Sequence, residues 1–111
     1  MDDMINTWLF DILQAINEIE SFFCDKPKVF SEYKKDIQKK RAVERDIAII
    51  GEAVNRILKE NPSFQIQNAR QIIDTRNRVI HAYDAVTDEI IWSIVIKYLP
   101  ELKKEINTLL K

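Results

Sequence analysis

Residues Arg76-Asn77-Arg78-Val79-Ile80-His81-Ala82-Tyr83 gather the reactive side chains of this chain into one short stretch. The stretch contains the sole histidine, five positions after Arg76 and two before Tyr83. A guanidinium, a base titrating near neutrality and a phenol within about two helical turns can bind and cleave a phosphodiester. The arginine supplies charge for the phosphate, and the histidine supplies or accepts a proton.

Helical geometry makes Arg76 anomalous. At about 100° per residue, Ala69, Ile72, Ile73, Val79 and Ile80 fall within roughly 60° of it. Arg76 therefore occupies the centre of an apolar stripe, where a leucine is expected. Tyr83 lies about 20° away on the same stripe, whereas Asn77 and His81 lie at about 100° and 140°, sharing a neighbouring face. A guanidinium aimed at an apolar interior is costly unless it is paired or the surface opens. Two readings follow: an ion pair with a glutamate of a preceding helix, such as Glu44 or Glu52, or a polar groove lined by Arg76, Asn77 and His81.

The elements that must hold this stretch are helices. One glycine and three prolines leave little material for hairpins, and the apolar residues recur at helical spacing. A first helix is expected from about Asp3 to Phe23, carrying Ile5, Trp8, Ile12, Ile16, Ile19 and Phe23, and broken at Lys26-Pro27. A polar segment follows from Ser31 to about Lys40, whose lysines read as a solvated surface or a phosphate-attracting flank. A second long helix runs from about Arg41 to Lys59, with Val43, Ile47, Ile50, Val54 and Leu58 as its stripe. Gly51 at the edge of that stripe costs about 1 kcal/mol relative to alanine, which a close helix–helix approach explains. Ile49 and Ala53 widen the apolar surface enough to face a second subunit. The third helix spans about Gln67 to Tyr83. The fourth spans about Asp88 to Leu99, capped by Thr87, and a last turn-rich or helical stretch begins at Pro100.

Bulk properties bound the function. The 111 residues form one domain, residues 1–111, with 46% hydrophobic and 32% charged residues. A net charge of −1 excludes a protein held on nucleic acid by general electrostatics alone, so any such contact is local. The lone Cys24 cannot form an internal disulfide and reads as a small core residue. One cysteine and one histidine cannot assemble a usual metal site. No metal or other cofactor is expected. The acidic start and the lack of about 18 consecutive apolar residues exclude a signal peptide and a membrane span, implying a cytoplasmic protein.

The pattern Arg-x-x-x-x-His-x-Tyr, with Asn77 directly after the arginine, resembles the signature of HEPN-domain ribonucleases, and its His-x-Tyr ending resembles the HepT-type subgroup. Arg41-Ala-Val-Glu-Arg-Asp-Ile-Ala-Ile-Ile-Gly-Glu-Ala-Val-Asn-Arg56 resembles that subgroup's second helix. Ile-Ile-Trp-Ser-Ile-Val-Ile-Lys-Tyr-Leu-Pro-Glu-Leu, from Ile90 to Leu102, resembles its closing helix. The resemblance implies an all-α, four- to five-helix up-down bundle that forms a homodimer, with two copies of the motif facing one cleft. It further implies a metal-independent endoribonuclease acting as the toxin of a toxin–antitoxin system. The cognate antitoxin is then an MntA-type nucleotidyltransferase that transfers AMP to the motif tyrosine, here Tyr83, and a larger assembly with that antitoxin is open. The alternative is a non-catalytic HEPN dimer that binds a nucleotidyltransferase partner or nucleotide.

In this scheme the neighbouring 2′-OH of RNA attacks phosphorus, giving a 2′,3′-cyclic phosphate and a free 5′-OH. Arg76 binds phosphate and stabilises the developing charge, His81 moves the proton, and Asn77 orients. With one histidine per chain, separate acid and base histidines require two chains. Phosphodiester-bearing bulk on Tyr83 would compete with substrate for Arg76.

Overall fold

The computed structural model describes residues 3–23, 27–81 and 87–110. Cys24 and Tyr83 lie outside these, as does the side chain of His81. Every regular element among the described residues is helical.

Helix α1 (Asp3–Ser21) carries Asp3 in its first turn, where the exposed amides of the helix start favour negative charge. Its inward stripe is Ile5, Leu9, Ile12, Ile16 and Ile19, all buried. A short α2 (Phe30–Lys35) follows, and Asp36 then serves two helices at once. Its N–H donates to the Tyr33 carbonyl at 3.1 Å, closing α2, and its carboxylate accepts from the Lys39 N–H at 3.0 Å, opening α3.

Helix α3 (Ile37–Glu60) is the central rod, with α1 on one side and α4 (Ala69–His81) on another. It therefore begins four residues before the expected Arg41, because the Asp36 cap lies inside the segment read as merely polar. The lysines of that segment are also less free than a solvated surface implies. Lys40 pairs with Asp88 at 3.1 Å, and Lys39 lies 5.0 Å from the centre of the Phe23 ring. At its far end α3 stops at Asn61, whose side chain accepts from the Ser63 N–H and hydroxyl. Asn68, at φ 60°, makes the left-handed turn into α4, a conformation asparagine tolerates better than most residues.

Thr87 caps α5 (Asp88–Ser93) as expected, accepting from the Ile90 N–H at 3.2 Å. The chain then passes through one π-helical turn (Ile94–Tyr98) into α6 (Leu99–Leu109). Pro100 thus lies within a continuous helical path and does not begin a separate stretch. A proline in a helix has no N–H to give and crowds the carbonyl four residues back, here that of Ile96. The wider turn accommodates it, and the Leu99 N–H reaches back to the Ile94 carbonyl. Trp92 closes the α2 end of the core, its ring 5.1 Å from Tyr33, 5.7 Å from Phe30 and 5.9 Å from Phe23. Lys103 of α6 ties back to Glu20 of α1 at 2.6 Å.

Candidate active site

The site forms where α4 crosses α3. Ile72 of α4 is fully buried, and Ala69 and Ile73 pack partly buried against the same core. One turn further along, Arg76 rides over Gly51 of α3. A Cβ built on Gly51 would stand 2.3 Å from Arg76 Cβ and 2.8 Å from its Cγ. The glycine is therefore needed: it lets the aliphatic stem of Arg76 lie directly on the α3 backbone. The close approach inferred from the mid-helix glycine is present, and its occupant is the arginine.

The ion-pair reading with Glu52 is borne out; a groove also opens beside Arg76, but Asn77 is not among the residues that line it, and the side chain of His81 lies outside the described residues. Arg76 Nη2 donates to Glu52 Oε2, the α3 partner, while Glu44 pairs instead with Arg41 at 3.5 Å. Its Nη1 donates to Asn77 Oδ1 at 2.8 Å, and its Nε is buried without a partner among the described residues. The ion pair is not sealed in a core, because the same guanidinium borders an open groove of about 480 Å³. Trp8 and Asp11 of α1, Arg45, Ile49, Glu52 and Arg56 of α3, and Arg76 line it.

Glu52 is bound on both oxygens, since its Oε1 accepts from Arg56 Nε at 2.9 Å. The Arg56 hydrogen bond, reinforced by the charges of Arg76, Arg56 and Lys59, holds the Glu52 carboxyl below the usual glutamate range. It is an anion at neutral pH and so a poor proton acceptor. Of the residues expected at the site, Arg76 and Asn77 are in direct contact, and His81 closes α4 one helical turn after Asn77. Tyr83 falls outside the described residues. Among those residues no group of three or more acidic, cysteine or histidine side chains could hold a metal ion.

Sequence reading missed Arg56, Arg45 and Trp8 as groove residues. The four-residue step from Glu52 to Arg56 was a visible pairing signal. Trp8 comes from a different helix and carried none. A charged residue on the α3 stripe was missed as well. Asp46 is 2% exposed, and beside the groove it lines a smaller cavity of about 320 Å³ with Asp11, Gln14, Glu18 and Arg45. Burial, then the hydrogen bond and charge of Glu18, push its carboxyl up to about 7.

An all-helical bundle with a buried glycine seating an arginine beside an open groove defines a class that sequence comparison makes specific. The family model of HepT-like ribonucleases matches residues 12–109, and the chain belongs to that family. A Methanocaldococcus jannaschii protein named as a candidate RNase is 32% identical over 111 residues, covering 96% of this chain and 88% of that protein. A similarly named Caldanaerobacter subterraneus protein is 35% identical over 86 residues, 74% of each chain. A Thermococcus cleftensis protein named probable ribonuclease HepT is 31% identical over 105 residues, 94% of each. No solved structure matches significantly. No helix among the described residues is long and apolar enough to cross a membrane.

Proposed function

We propose that this protein is a metal-independent endoribonuclease, the toxin of a toxin–antitoxin pair, working as a homodimer. The observation that carries the reading is Arg76, an arginine kept on an apolar helix stripe by a dedicated glycine yet bordering an open groove. A purely structural cation gains nothing from that opening, whereas a phosphate ligand requires it.

In the reaction, Arg76 binds the scissile phosphate. The 2′-oxygen of the preceding ribose forms a bond to phosphorus, the bond to the 5′-oxygen breaks, and a 2′,3′-cyclic phosphate and a 5′-hydroxyl result. His81 of one chain takes the 2′-proton, and His81 of the second chain protonates the leaving 5′-oxygen. Asn77, already bonded to the guanidinium, orients it. Glu52 is held as an anion by its arginines and serves the cation, leaving the proton work to histidine. Control comes from an MntA-type nucleotidyltransferase antitoxin that transfers AMP to the Tyr83 oxygen, placing a competing phosphodiester near Arg76.

The test is cleavage of RNA by purified protein in excess EDTA, with product ends identified. We expect cyclic phosphate termini, and His81→Ala to cut the rate by about 10²- to 10⁴-fold with the fold intact. Absence of cleavage by the wild-type protein favours the non-catalytic, partner-binding HEPN dimer. Undiminished cleavage by the His81 variant removes histidine from the mechanism.

A further inference from the structure

Glu52 stands between two guanidiniums that border one groove. Arg56 reaches it from the next turn of α3, and Arg76 reaches it from α4. We propose that Glu52 is a positioning residue that sets both guanidiniums along the groove, and that Arg56 is a second phosphate-binding residue contacting the RNA backbone next to the phosphate held by Arg76. This rests on the ribonuclease reading above and extends the site from one phosphate to two.

The stem of Arg76 is fixed on Gly51, so the direction of its head is set by what the guanidinium bonds, namely Glu52 and Asn77. Its side chain is 20% exposed, and that of Arg56 is 56% exposed. Arg56 therefore has room to meet a ligand while anchored through Nε. Without the carboxylate, two like charges beside one groove repel and turn toward water. With it, two cations and one anion leave a net positive charge, enough to attract phosphate without scattering the pair. A carboxylate suits this because each oxygen accepts independently. Glutamine has one accepting oxygen, and its NH₂ would face one of the two guanidiniums.

The experiment measures cleavage kinetics alongside ¹⁵N NMR of the arginine side chains. Mispositioning Arg76 in Glu52→Gln is expected to lower kcat by about 10- to 100-fold with little change in KM. Arg56→Ala is expected to raise KM and to reduce the salt slope of RNA binding by about 0.7–0.9, the share of one phosphate contact. In the Arg56→Ala background the single amide oxygen of the Glu52→Gln side chain is free to turn to Arg76. The kcat penalty of Glu52→Gln should then shrink to roughly threefold or less, a non-additivity that general destabilisation does not produce. Glu52→Gln should also broaden the Arg76 Nη signals by releasing guanidinium rotation. A cleaving protein in which Glu52→Gln leaves kcat unchanged overturns the positioning claim. So do Arg76 signals indifferent to Glu52→Gln, whether or not the protein cleaves. An unchanged salt slope in Arg56→Ala overturns the second phosphate contact. If the wild-type protein cuts no RNA but Arg76 signals respond to Glu52→Gln, the positioning claim stands and the nuclease reading alone fails.

Discussion

Asp46 and Arg76 each place a charged group on an apolar helix stripe, and the fold treats them differently. Arg76 is given a counter-ion and an open edge. Asp46 is given a cavity shared with the carboxylate of Glu18 from α1, with Arg45 of its own helix offering partial relief and Asp11 and Gln14 also present. Its Oδ2 is buried with no hydrogen-bond partner among the described residues, a setting that disfavours the charged form. An unfolded aspartate loses its proton near pH 4, whereas the folded one holds it to about 7. Between those values the native state binds the extra proton, so stability is greatest at the acid end and falls as pH rises through about 7. Urea midpoints measured from about pH 4.5 to 8 should therefore decline for the wild type, and Asp46→Asn should flatten the decline and be the more stable form at the alkaline end. A wild-type profile rising across that range would contradict a buried Asp46 that holds its proton in the folded state. The same angular test that exposes Arg76 in the sequence also exposes Asp46, which lies three residues after Val43 and four before Ile50. Its partner was not legible, because Glu18 meets it only through the packing of α1 on α3.

At the scale of elements, the closest helix contact in the site depends on a missing side chain. Gly51→Ala would place a methyl group within 2.3 Å of Arg76 Cβ, and the backbone oxygen of Ile72 at 3.2 Å limits any sideways escape. The helices must part or Arg76 must leave its seat. Overpacking of this kind costs about 1–3 kcal/mol, against a gain of up to about 1 kcal/mol from helix propensity. We expect a net loss in thermal stability and a larger loss of RNA cleavage, since Arg76 is the group displaced. Gly51→Ala with unchanged melting temperature and activity would show that α4 can shift freely. The helices themselves were largely legible, since their stripes repeat every three or four residues and Thr87 is a recognisable cap. Two boundaries were not. Asp36 caps α3 through a turn that a polar composition disguises, and Pro100 reads as a break unless a π turn absorbs it.

For the whole molecule, the question is how a chain with one histidine would supply both the acid and the base of the proposed reaction. The groove beside Arg76 is bordered by Ile49, 38% exposed, with Trp8 half-buried next to it. Ile49, together with Asp11 and Arg45, also lines the neighbouring cavity of Glu18 and Asp46, so this apolar side chain lies between the Arg56 and Arg76 end of the groove and Glu18. Two copies related by a two-fold axis beside Ile49 would pack this apolar edge on its own copy and leave Arg56 and Arg76 of both chains bordering one open cleft. The apolar contact supplies the affinity, and the cleft stays open to phosphate. Ile49→Glu tests the arrangement with little risk to the fold, because the residue already meets solvent. The variant should sediment as a folded monomer with native helical content and should lose cleavage at concentrations where the wild type is dimeric and active. A two-fold axis beside this position sets the two introduced carboxylates near each other, so raising ionic strength should partly restore association. A monomeric variant that cleaves at the wild-type rate would place the acid and the base within one chain, and the second proton carrier would then be sought among groups other than histidine.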